Sequence, residues 1–154
     1  MRRTGCAALA ALVLPLAGCG GGDSQSLSES EFRKQANAIC TAGDAELKAK
    51  GTQKLYGPDG KATPTPEMIA AYLTEDALPV ARTKLDGIDK LKPPEKDRKK
   101  VDRMLAAGRQ GVAQVDAQLR QDPRAYLSAT SPDPFQEFNK LADDLGLHDC
   151  TSRP

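Results

Sequence analysis

VDRMLAAGRQGVAQVDAQL, running from Val101 to Leu119, decides the fold class. At about 100° of turn per residue, Val101, Met104, Leu105, Gly108, Val112, Val115 and Leu119 occupy one arc about 100° wide. That is one buried face of a long amphipathic helix, predicted over about 94–121. Gly108 lies in the middle of the arc and Gly111 at its margin. Each costs up to about 1 kcal/mol in a helix interior. Close helix–helix contact at a thin place in the core is the first explanation for them, and a flexible point the second.

The pattern repeats on both sides of this helix. Upstream, Ser28 and Glu31 form a capping box. Phe32, Ala36, Ile39, Cys40, Gly43 and Leu47 then share a face of a helix predicted over 29–50. Cys40 sits at the edge of that stripe. Gly51 to Thr65, with Gly57-Pro58-Asp59-Gly60 and Pro64, reads as the longest internal loop. Thr65-Pro66-Glu67 opens a further helix with cap, proline and acid in order. Its stripe, Ile69, Tyr72, Leu73, Ala77 and Val80, gives way near Pro79 to Leu78, Ala81, Leu85 and Ile88. An interior proline removes a hydrogen bond and clashes with the preceding turn, so a kink or break is predicted near 75–79. The segment stops at Leu91, before Pro93-Pro94. Downstream, Asp122-Pro123 caps a short helix to about 129. Asp133-Pro134 starts the last helix, 134–145, with Phe135, Phe138, Leu141, Ala142 and Leu145 on its inner face. Gly146 stands where a left-handed cap belongs, and Leu147 folds back on the last turn. No segment alternates with a period of two. The predicted class is all-α, a small bundle of about four helices.

The amino terminus carries the address. Arg2 and Arg3 precede an apolar run from Gly5 to Leu16, the length of a signal-peptide core and too short for a permanent membrane span. Leu16-Ala17-Gly18-Cys19 comes next and closely resembles the lipobox of bacterial lipoproteins. The resemblance implies cleavage after Gly18 and a diacylglyceryl thioether on Cys19, whose two acyl chains anchor stably where one is marginal. Residues 1–18 are expected to be the signal peptide, with Cys6 lost on cleavage. Residues 19–28, with Gly20-Gly21-Gly22, are expected to form a lipidated tether. The helical domain is expected over 29–150, with a tail at 151–154. The expected location is extracytoplasmic, lipid-anchored to the cell membrane.

Of 22 basic and 21 acidic residues, the leader removes Arg2 and Arg3, leaving a formal net charge of −1. That balance argues against nucleic-acid binding, which needs a basic face, and supplies no attraction to anionic lipid. The length suits one domain, and with few aromatics and no Trp its core is aliphatic and modest. Beyond Cys19 remain Cys40 and Cys150. In an oxidising compartment they allow one intramolecular bridge; a free thiol or a metal pair are the alternatives, weaker because two cysteines and one histidine make an incomplete site.

Phe32 to Cys40 (Phe-x-x-x-Ala-x-x-Ile-Cys), Leu91-Lys92-Pro93-Pro94 and the terminal Leu145-Gly146-Leu147-x-x-Cys150 together resemble a broad group of small actinobacterial lipoproteins of unknown function. The resemblance implies a helical bundle whose first and last helices are tied by a Cys40–Cys150 disulfide. It implies no chemistry.

A search for chemistry returns little. His148, near Asp143, Asp144 and Asp149, lacks zinc-ligand spacing, since Asp143 and Asp144 point about 100° apart on a helix. Ser128, Thr130 and Ser131 have no nucleophile-elbow context. Glu95-Lys96-Asp97-Arg98-Lys99-Lys100 reads as a solvated face, or else as a docking patch for an acidic wall polymer. There is no phosphate-cradling loop and no dinucleotide fingerprint. No catalytic residue, metal or cofactor is expected. The expected role is a monomeric, non-enzymatic binding or scaffolding module, with an envelope protein or wall component as partner. The alternative is a small-ligand-binding accessory of a transporter or sensor. A pocket between the helices would favour the alternative, and a flush core with an exposed apolar patch the first reading.

Overall fold

The 101–119 face is buried from end to end. In the computed structural model, which describes residues 26–128 and 132–151, helix α4 (Arg98–Gln121) buries all seven residues of the predicted arc and Gly111 as well. A short 3-10 turn, Glu95–Asp97, precedes it. The expected leader, Cys19 and the tether to Gln25 lie outside the described residues, as do Thr130, Ser131 and the tail beyond Thr151.

Helix α1 (Glu29–Tyr56) starts at the capping box: the Ser28 hydroxyl accepts from the Glu31 amide, and Glu31 accepts from the Ser28 amide. It ends six residues beyond the predicted 50, so the loop shrinks to 57–65. The correction has a tertiary cause. Gly51 packs under Tyr72, whose hydroxyl donates to the Leu47 carbonyl at 2.9 Å. Such packing outweighs the roughly 1 kcal/mol that glycine costs in a helix.

After α2 (Pro66–Tyr72) the helix does not break. It widens into a π-turn, Leu73–Ala77, in which the Leu78 amide donates to the Leu73 carbonyl five residues back, and then continues as α3 (Leu78–Asp89). One extra residue in a turn rotates the downstream helix face by about 100°, the phase shift visible in the sequence. Pro79 follows directly, in the first turn of α3, where the missing amide costs least. The short α5 (Pro123–Ser128) is capped by Asp122 through the Ala125 amide. Helix α6 (Gln136–Leu145) begins two residues later than expected, after the Asp133 carboxylate takes the Phe135 amide. Gly146 caps it in the left-handed region, at φ 74°, and Leu147 is fully buried behind it.

The fold is all-α among the described residues. Helices α1, α3, α4 and α6 surround one core, with α2 and α5 packed on each other beside it. The glycines of α4 set the spacing. A Cβ on Gly108 would lie 2.7 Å from Leu85 of α3 and 2.9 Å from Phe138 of α6, and one on Gly111 would meet the Phe135 ring and Pro134 carbonyl at 2.8 Å. Close contact, not a flexible point, is therefore the role of both. The ring closes where the chain ends meet. Arg33 donates to the Leu145 carbonyl, Asn37 to that of Gly146, and the Cys40–Cys150 disulfide joins α1 to the final 3-10 turn, His148–Cys150. The buried hydrophobic residues run from Phe32 to Cys150, so this core is completed by the domain's own helices.

Candidate ligand cavity

A cavity of about 230 Å³ lies where the four-helix part meets the π-turn and α5. Its inward positions on the π-turn, α3 and α4 include three small residues, Ala77, Ala81 and Gly108. Leu85, Val112, Val115 and Phe138 supply much of the remaining apolar wall, and the Cys40–Cys150 bridge lines one side. Three lining side chains carry a polar atom, namely Asp44, Lys84 and Tyr126.

Asp44 and Lys84 form an ion pair between α1 and α3, with Lys84 Nζ 2.6 Å from Asp44 Oδ1. The two differ in how firmly they are held. The Lys84 side chain is 18% exposed and its stem lies across Gly43, where a Cβ would come within 2.5 Å of Cδ and 2.7 Å of Cγ. Asp44 is 55% exposed. Gly43 thus provides the space that lets a long cation lie at the cavity wall. The Tyr126 phenol, half-buried, is pushed to a higher pKa by that burial, with the nearby Asp133 charge adding to it, so it remains a neutral donor.

The π-turn forms the neighbouring wall through Leu73 and Ala77 and turns Asp76 inward. Asp76 is 6% exposed, the one charged side chain buried among the described residues. Lys54 Nζ lies 2.5 Å from its Oδ2 and Lys50 Nζ 3.5 Å from its Oδ1. Oδ2 meets Lys54 as a charge without a well-directed hydrogen bond. The Lys54 ammonium beside it holds this carboxyl below the usual aspartate range, against the opposing effect of burial. This cluster ties α1 to the π-turn, and Asp76 does not line the cavity.

A larger groove, about 470 Å³, runs open along α3 and α4. Its three arginines are engaged: Arg82 and Arg120 with Asp116, and Arg109 with Asp86 and Asp89. It offers a neutralised surface where the smaller pocket offers a mostly apolar one. Of the large hydrophobic residues described, Tyr56 is the exposed one.

The residues singled out in the sequence fall into separate places. Cys40 and Cys150 are bridged, with Cα atoms 5.0 Å apart, and stand in the cavity wall. His148 is exposed with its Nδ1 3.3 Å from Asp143, and among the described residues no group of three His, Cys, Asp or Glu side chains is placed to hold a metal ion. Ser128 is exposed and donates to the Ala125 carbonyl. In the charged run, Lys96 pairs with Glu29 and Arg98 with Glu95, while Lys99 and Lys100 are exposed. Sequence reasoning missed Asp44, Lys84, Asp76 and Tyr126. Only Asp76 left a signal, in the phase shift before Pro79. No described helix is long and apolar enough to cross a membrane. Comparison with known proteins gives no match, whether to a family model, a curated protein or a solved structure.

Proposed function

We propose that this protein is a lipid-anchored, extracytoplasmic binding protein that holds a small, largely apolar ligand inside its helical bundle. The observation that carries the reading is the partly open pocket of about 230 Å³, apolar but for one ion pair and one phenol. Drug-sized ligands occupy roughly 300–1,000 Å³. A dry apolar cavity of about 150 Å³ already takes benzene. The ligand class is therefore small, at about nine non-hydrogen atoms by proportion. Packed helices and a disulfide border the site, so its shape is largely formed before anything binds. A binding or scaffolding module acting through its surface, the first expectation from sequence, calls for an exposed apolar patch, and Tyr56 as the one exposed large hydrophobic residue described gives it little support. Binding without a catalytic step is the role proposed. The Cys40–Cys150 bridge supports an oxidising compartment, and the Leu16–Cys19 motif supports attachment through Cys19.

Thermal unfolding in the presence of toluene and cyclohexane tests the reading. Ligand at 100 times its Kd stabilises by about 2.7 kcal/mol, a readily measured rise in Tm. The rise should vanish in Ala81→Leu, which extends a larger side chain into the cavity, while that variant alone melts above the wild type. No shift with either probe, or an equal shift in Ala81→Leu, would refute the proposal.

A further inference from the structure

From the asymmetry of the ion pair at the cavity we infer that the ligand is an amphiphile whose apolar part fills the bundle and whose carboxylate takes Lys84 in place of Asp44. The inference rests on the proposed binding role and adds the chemistry of the ligand's head.

A cation at an apolar cavity is costly to leave unpaired, so Lys84 needs an anion whether or not a ligand is present. In the structure that anion is Asp44, 2.6 Å away. The two partners are not equally replaceable. Lys84 is packed along its stem against Gly43 as far as Cδ and is 18% exposed, so the reach of its ammonium is confined to this end of the pocket. Asp44 is 55% exposed and returns to water by rotating its side chain. Water on the Asp44 side screens the pair, which limits what is lost when Asp44 in particular is replaced by another anion. An incoming carboxylate therefore meets a cation already confined to the pocket and displaces a partner that hydrates readily. The bond it forms is charge-assisted, at the edge of an apolar interior where such bonds are strongest. The remaining walls recognise no polarity except at Tyr126, whose burial keeps it a neutral donor. A cationic head is disfavoured by Lys84, and an uncharged head would leave the Asp44–Lys84 pair in place and gain nothing from it. A cavity suited to about nine non-hydrogen atoms points to a medium-chain or small-ring carboxylate, not a long-chain lipid.

The test uses the full chain in detergent-free lipid nanodiscs. Octanoate and octanol, each carrying a diazirine near the tail end, are photo-crosslinked to it and the labelled peptides mapped. The carboxylate probe should label peptides bearing Leu73, Val112 or Phe138, and unlabelled octanoate should compete. The octanol probe should label at least about tenfold less. Lys84→Met keeps the stem and should erase that preference. Lys84→Arg should retain it, which separates loss of charge from loss of fold. Asp44→Asn should strengthen carboxylate labelling by up to about fivefold. If neither probe labels these peptides, the binding role itself fails. If octanol labels as well as octanoate, or if Lys84→Met keeps the preference, the cavity binds but the carboxylate inference is overturned.

Discussion

Reducing the Cys40–Cys150 disulfide should weaken this protein by about 3 kcal/mol and leave it folded. The cysteines are 110 residues apart, so the bridge constrains nearly the whole unfolded domain. Loop-closure entropy sets a ceiling near 4.7 kcal/mol for a loop of about this size, and measured values commonly run at about 2–4. The folded state loses little, because other ties at the same place survive. Arg33 still donates to the Leu145 carbonyl at 2.8 Å, Asn37 to Gly146 at 3.2 Å, and the Asp149 amide to Asn37 at 3.1 Å. Both sulfurs are buried, and two thiols there pack as small hydrophobic groups. The bridge is shielded for the same reason, so the protein must be unfolded in reductant and refolded in its presence. Urea unfolding and thermal melting, both read by circular dichroism, then compare the two forms. The reduced form should melt roughly 10 °C lower. It should also unfold with a larger m-value, since its released chain exposes more surface. Equal midpoints would refute the loop-closure argument. Loss of the helical spectrum on reduction would show that the hydrogen bonds between α1 and the carboxyl-terminal turn do not hold the ring closed.

Three further outcomes rest on the packing, the charges and the amino-terminal motif. Val112→Asp places an unpaired charge in a position 3% exposed and should cost several kcal/mol, whereas Lys99→Asp, on the exposed side of α4, should change stability by less than roughly 0.5 kcal/mol in the same urea assay. Because the Lys54 ammonium lowers the Asp76 pKa, this carboxylate contributes stability above the unfolded value of about 3.9 and loses it as pH falls through its lower folded value; Asp76→Asn should therefore be less stable at neutral pH and lose less between about pH 4 and about pH 2, read from urea midpoints across that range. Expressed in a bacterium, the wild-type chain should partition into detergent and Cys19→Ala should not, and equal partitioning would remove the anchor from the proposal.

The fold is legible wherever one helix face carries the information. The stripe of α4 needs only a period, and every member of it is buried. The Ser28–Glu31 box and Gly146 fix chain ends by local hydrogen bonding and backbone conformation, and both stand where the residues place them. Legibility fails where a distant side chain decides. Gly51 looks like a terminator because nothing in its neighbourhood reveals Tyr72 packed over it, and six residues of α1 look like loop in consequence. The phase shift before Pro79 is visible, but a break and a continuous π-turn leave the same mark in one dimension. Only the bond from the Leu78 amide to the Leu73 carbonyl tells them apart.

The pocket is illegible for a stronger reason, since it depends on which residues meet in space. Ala77 and Ala81 look ordinary in a helix, and their smallness matters because they border one pocket, whereas Gly108 beside them serves the close approach of Leu85 and Phe138. Under the proposed binding role, a pocket bordering a small aliphatic core needs a wall that keeps its shape. The Cys40–Cys150 bridge lies in that wall, so its constraint acts where the pocket must stay open.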